Sequence, residues 1–113
     1  MRIVFVTCPP GAGLELLRTL VTERLVAGGN VIPSIRSIYH WKGNLCEEAE
    51  EILLMETWAT RVDDLIERIK AIHPYEVPKI LTFEPREGWP EYLAWVHSET
   101  QPSPPPGNPV QSP

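Results

Sequence analysis

A chain of 113 residues, 42% hydrophobic and 12.8 kDa in mass, has the apolar content for one domain with one unstapled core. Its formal charge of −5 argues against nucleic acid or an anionic membrane as partner, since both call for basic patches. Cys8 and Cys46 fall in no CxxC or zinc spacing, no apolar run approaches the ~20 residues of a membrane helix, and Met1-Arg2 leads directly into a strand pattern without a leader. A cytoplasmic protein with reduced thiols is expected.

The first element is the run Ile3-Val4-Phe5-Val6-Thr7-Cys8, whose lack of alternation predicts a central strand buried on both faces. Pro9-Pro10-Gly11 ends it. From Gly13 to Ala27 the pattern turns helical, with Leu14, Leu17, Val21 and Leu25 in one stripe widened by Leu16 and Leu20. Gly28-Gly29-Asn30 is the expected helix stop, because glycine takes a left-handed cap at least cost. Residues 31–41 are β-branched and aromatic, with Pro33 implying a sheet edge or a bulge. Lys42-Gly43-Asn44 signals a hairpin, and the return strand runs from about Leu45 to Trp58 around Ile52-Leu53-Leu54-Met55. Arms this long exceed the ~5–6 residues of a typical strand, so the tip projects and should have something to pair with.

Thr60 with Asp63 predicts a capping box for a second helix, in which Val62, Leu65, Ile66, Ile69 and Ile72 form the apolar stripe. Asp64 and Arg68 are spaced for an i,i+4 pair on its wet face. The joint His73-Pro74-Tyr75-Glu76-Val77-Pro78 follows. Its two prolines remove two donors and forbid helix, and the residues before them are pushed to extended geometry. The joint is a stiff connector, a binding site on a constrained loop, or both. Residues 79–83 form the fourth strand, 84–90 a loop, and Glu91 to Ser98 a short helix with Tyr92, Trp95 and Val96 on one face. Residues 1–100 are read as the domain. Residues 101–113, with six of the 13 prolines, are read as a proline-rich disordered tail.

Strand, helix, strand, strand, helix, strand is the α+β, ferredoxin-like βαββαβ order, here with a long hairpin between the second and third strands and a short C-terminal helix. In that order the first and third strands are central, which agrees with their unbroken apolar runs. Four stretches also carry a family resemblance: 3–9, Val31-Ile32-Pro33, 37–43 and the joint 73–78, continued by Tyr92-Leu93-Ala94-Trp95. Together, over about residues 3 to 98, they resemble the CutA, or divalent-cation tolerance, proteins. The resemblance implies a homotrimer with hairpins pairing across subunit edges. It also implies weak binding of a divalent cation, copper or zinc, that folding does not require.

The same resemblance singles out His73 as a metal ligand. The family's two copper-binding cysteine positions fall on Val6 and Gly28, so two of the three implied ligands are absent. Glu76 is the nearest carboxylate to His73 in sequence. Glu47, Glu48, Glu50 and Glu51 divide between the two faces of a strand, Glu48 and Glu50 sharing one with Cys46, and read as a solvated hairpin arm. His40 and His97 have no ligand spacing and read as surface residues. Glu56 interrupts the third strand and needs a partner if buried.

The chain is not read as an enzyme. His73, Tyr75 and Glu76 are acid–base groups and Cys8 precedes a helix, but no nucleophile motif or phosphate loop accompanies them. The alternative to cation binding is a trimeric sensor or signalling protein that takes a small effector at its subunit interfaces. Tyr39, Trp41, Tyr75, Glu76 and Trp95 are its candidate cleft or interface residues, a reading that rests on fold analogy.

Overall fold

The computed structural model describes residues 1–102, so the proline-rich tail read from the sequence lies almost wholly outside the described residues. The elements are β1 (Arg2–Cys8), α1 (Gly13–Thr22), β2 (Gly28–Trp41), β3 (Asn44–Thr57), α2 (Val62–Ile72), β4 (Ile80–Phe83) and α3 (Pro90–Glu99). All strand pairs are antiparallel in the order β2-β3-β1-β4, which places β1 and β3 in the centre and gives the ferredoxin-like topology.

Side-chain parity divides the sheet. Val4, Val6 and Cys8 of β1 and Leu53 and Met55 of β3 point to one face, where α1 adds Leu16, Leu17 and Leu20 and α2 adds Leu65 and Ile69. That face is the core. The opposite face presents Ile3, Phe5, Ile52 and Leu54 half-buried, and β4 leaves Leu81 50% and Phe83 53% exposed there. Helix α3 packs at the corner where Gly28 of β2 meets the end of β3, with Trp95 against Gly28 and His97 against Trp58. The expectation that β1 is buried on both faces therefore holds on one face and half-holds on the other.

Helix α1 ends at Thr22, five residues before the expected stop. Arg24 takes the left-handed position with φ of 60°, its N–H bonds Val21 O at 3.0 Å, and Leu25 N–H bonds Leu20 O at 3.0 Å. This is a Schellman closure, and its usual apolar contact is made by the buried pair Leu20 and Leu25. Gly28 and Gly29 belong to β2 instead. A Cβ on Gly29 would lie 2.7 Å from Leu54 O and 3.0 Å from Leu17 Cδ1, so glycine serves close packing there. The buried face of α1 is Gly13, Leu16, Leu17 and Leu20 rather than the expected stripe through Leu14 and Val21, which leaves Leu14 57% exposed with Val21 beside it.

Helix starts differ from expectation too. The Thr60–Asp63 capping box does not form, because a 3₁₀ turn over Ala59–Arg61 leads into α2 with no side-chain cap. Asp64 pairs with Arg61 at 3.3 Å, while Arg68 makes a two-pronged contact to Glu23 at 2.8 and 2.9 Å in place of the expected Asp64. At the start of α1 the cap comes from another element: Glu51 of β3 accepts the Gly13 N–H at 3.0 Å. A carboxylate here satisfies an orphan donor and sits at the positive end of the helix dipole.

Glu56, on the open face, has a buried Oε2 without a hydrogen-bond partner. Desolvation raises its carboxyl above the ordinary 4.5, against the opposite pull of the Tyr92 hydroxyl and its own backbone N–H.

Glu51→Ala is expected to cost about 1–2 kcal/mol in urea unfolding, and Glu51→Gln, which keeps an acceptor, less. For Glu56 the raised carboxyl contributes stability that is complete below about pH 4.5 and is lost as pH rises through its folded value. Glu56→Gln should therefore melt higher than the parent near neutral pH and level with it near pH 4, as read by thermal melts at both.

Candidate functional site

The hairpin and the joint build one concave site. Lys42 and Gly43, both at positive φ, close a two-residue turn between Trp41 and Asn44 and fix the register of both 14-residue arms. At Pro33 and Ser34 the register shifts, Ser34 adopting φ of 61°, so β2 is both the edge strand and the bulged strand that Pro33 implied. Past this bulge Ile35 faces Glu50, Ser37 faces Glu48 and Tyr39 faces Cys46. The joint then crosses from α2 to β4 above this surface and encloses a cleft of about 450 Å³.

Four of the sequence candidates meet in that cleft: Tyr39, Trp41, Tyr75 and Glu76. The Tyr75 hydroxyl donates to Glu50 Oε2 at 2.8 Å and the Tyr39 hydroxyl to Glu48 Oε2 at 2.9 Å. Each bond favours the protonated phenol. Tyr39 is pushed up to about 12 chiefly by Glu48, and Tyr75 is raised further, by burial first and then by Glu50. Glu76 is exposed and pairs with Lys42 at 3.6 Å, tying the joint to the hairpin tip. Trp95 is not part of this cleft; it stacks beside Tyr92 at 5.5 Å between ring centres, against Gly28.

His73 lies just behind the cleft, 7% exposed. Its Nε2 is 2.8 Å from Thr7 O and its Nδ1 accepts the Tyr75 N–H at 3.0 Å, which fixes the tautomer with the proton on Nε2. Both ring nitrogens are occupied by backbone. A metal at His73 would have to displace one of these bonds, and among the described residues no three His, Cys, Asp or Glu side chains converge as a ligand set. The described residues therefore do not form a ready cation cage.

Sequence reasoning missed Glu48 and Glu50 as cleft residues. Glu50 is 4% exposed, so the reading of all four acids as a solvated arm fails for it, and for Glu51 at the α1 terminus. Glu47 does keep to the surface, pairing with Arg36 at 3.1 Å. The available signal was parity: in a hairpin with a two-residue turn at 42–43, Tyr39 and Glu48 share a face. Cys8 is buried, and burial together with Glu51 and Glu50 raises its thiol to about 11, opposite to the activated thiolate considered for a helix approach.

The sequence model of the CutA1 divalent ion tolerance protein family matches residues 2–99. Among curated relatives, the mouse protein CutA is 41% identical over 98 residues, covering 86% of this chain and 55% of its own length. The divalent-cation tolerance protein CutA of Thermus thermophilus is 39% identical over 100 residues, 88% of this chain and 97% of that protein. The chain thus spans little more than half of the mouse relative and nearly all of the bacterial one. Among solved structures, the Thermus thermophilus Cut A1 protein superposes with a TM-score of 0.85 at 39% identity, covering 89% of this chain and 100% of that chain. A Nostoc protein described as a PII-like protein CutA in apo form superposes equally, TM-score 0.85, at 37% identity over 91% of this chain and 100% of that one.

The raised thiol gives a direct readout. Iodoacetamide at about pH 8 should leave Cys8 unmodified in the folded protein and alkylate it once guanidinium chloride unfolds the chain, as peptide mass mapping would report.

Proposed function

The chain belongs to the CutA1 divalent-ion tolerance family, and from that premise we propose that it serves divalent-cation tolerance as a cytoplasmic homotrimer whose working site is the cleft between hairpin and joint. The observation that carries this reading is the convergence of Tyr39, Trp41, Tyr75 and Glu76, from two distant stretches, around one cavity of about 450 Å³. A concave site with three aromatic side chains and a few placed polar groups suits a small ligand. The role is sensing or signalling rather than turnover, because the joint's histidine is committed to backbone and the nearby Cys8 is held as a thiol.

Trimer formation accounts for the uncovered sheet face. Leu81 and Phe83 are half exposed beside Phe5 and Leu54, and covering the exposed half of such side chains contributes about 1 kcal/mol each. The edge strand β2 and its projecting hairpin also present unpaired backbone that a second chain can extend.

Direct cation binding is the second reading, supported by the family. It is weak in this chain for a stated reason: His73 must surrender a backbone hydrogen bond, and the two cysteine positions of the copper pattern hold Val6 and Gly28. Losing one such bond costs roughly 1–3 kcal/mol before any metal contact forms.

Native mass spectrometry with and without copper or zinc tests assembly and cation together. The expected species is a trimer of about 38 kDa from 12.8 kDa chains, with weak ion uptake that His73→Ala abolishes. A monomer would overturn the assembly. Undiminished uptake in His73→Ala would move the cation elsewhere, and no uptake at all would remove direct cation binding from the function.

A further inference from the structure

The cleft has an unbalanced charge. Glu50 is almost fully enclosed, yet among the described residues neither Glu48 nor Glu50 has a Lys, Arg or His nitrogen within 4.0 Å. Their assigned partners are neutral hydroxyls, Tyr75 on Glu50 and Tyr39 on Glu48. Of the two nearby lysines, Lys79 lines the cleft beside three carboxylates, Glu48, Glu50 and Glu76, and neither lysine comes within 4.0 Å of Glu48 or Glu50. Lys79 Nζ sits over the Phe5 ring at 5.4 Å, and Lys42 pairs with Glu76 and lies 5.6 Å from the Trp41 ring centre.

A carboxylate removed from water and compensated by one neutral donor retains a demand for positive charge. Glu48 and Glu50 lie on the same strand face two residues apart, so their fields add at the cleft. The walls favour the same sign. Tyr39, Tyr75 and Trp41 present π-systems, which attract cations at their faces. The space is far larger than one ion needs, since a water's share of liquid volume is only about 30 Å³. An ammonium or guanidinium carried on a carbon skeleton meets the charge, the walls and the volume together.

We propose that the cleft binds a small organic cation, its amine or guanidine group at Glu50 and Glu48 and its skeleton between Tyr39, Trp41 and Tyr75. This rests on the reading of the cleft as the ligand site and adds the chemical class of the ligand.

The test is a charge-matched series, 2-phenylethylamine, 2-phenylethanol and phenylacetate, with agmatine as an aliphatic dication, titrated into the assembled protein. Backbone amide NMR shifts of 37–50 and 73–79 locate binding, and calorimetry ranks it. The amines should bind at least about tenfold tighter than the alcohol or the carboxylate, and Glu50→Gln should cost the amines about tenfold while leaving the alcohol unchanged. Should Glu50→Gln fail to fold, Trp41→Ala at the exposed tip must still weaken the amines. Equal or tighter binding of the alcohol or carboxylate in the cleft would overturn the organic-cation class and keep the cleft as a ligand site. Absence of cleft shifts with all four probes would overturn both.

Discussion

The imidazole of His73 is the clamp on which the site depends. At one nitrogen it holds the carbonyl of Thr7 at the end of a central strand, and at the other the N–H of Tyr75 in the joint. Strand β1 and the exit of α2 are thereby fixed to one another through a ring with no freedom left. Pro74 and Pro78 restrict the backbone on either side, so the position of Tyr75 follows from that of His73. Tyr75 in turn reaches Glu50 on the hairpin. A single side chain thus relays the position of the core sheet to the wall of the cleft.

The hairpin side of the cleft depends on one inserted residue. Up to Ile32 the register of β2 against β3 would place Ile38 and Arg36 on the face of Glu48 and Glu50. The bulge at Pro33 and Ser34 shifts that pairing by one, which moves Tyr39 and Ser37 to the acidic face and sends Arg36 to the other, where it meets Glu47. Proline is tolerated because β2 is an edge strand, so its missing donor falls outside the ladder. A strand without the bulge would set Arg36 opposite Glu48 and turn Tyr39 and Trp41 off the cleft face.

Most of the architecture was legible because its signals are local. The unbroken runs of β1 and β3 marked the central strands, Lys42-Gly43 marked the turn, and the prolines marked both the joint and the bulge. What stayed hidden depended on contacts between distant residues. Arg24 ends α1 in a conformation usually left to glycine, supported by the Leu20–Leu25 contact and by its pair with Glu99 at 3.1 Å, so the glycines downstream were free to pack a strand instead. The α1 cap comes from Glu51, 38 residues away in the chain, which no capping pattern reports. Trp95 was grouped with the cleft aromatics by residue type, and only the path of α3 sends it to the opposite corner.

The acids of the hairpin show how one charge run comes to serve three different ends. Parity and neighbours, not composition, divide them: Glu47 to an exposed arginine, Glu51 to a helix terminus, Glu48 and Glu50 to phenol hydroxyls. The last pair also bears on which cation the cleft can select. A bare divalent ion gives up a tightly held water shell on entry and finds only two neighbouring carboxylates, each already sharing one oxygen with a tyrosine hydroxyl, in exchange. A guanidinium or alkylammonium group sheds less hydration, leaves those hydroxyls in place, and gains contact with the aromatic walls as well. Desolvation therefore favours the organic cation in this cleft, and the same bonds that hold Tyr75 and His73 in position make a metal the weaker guest.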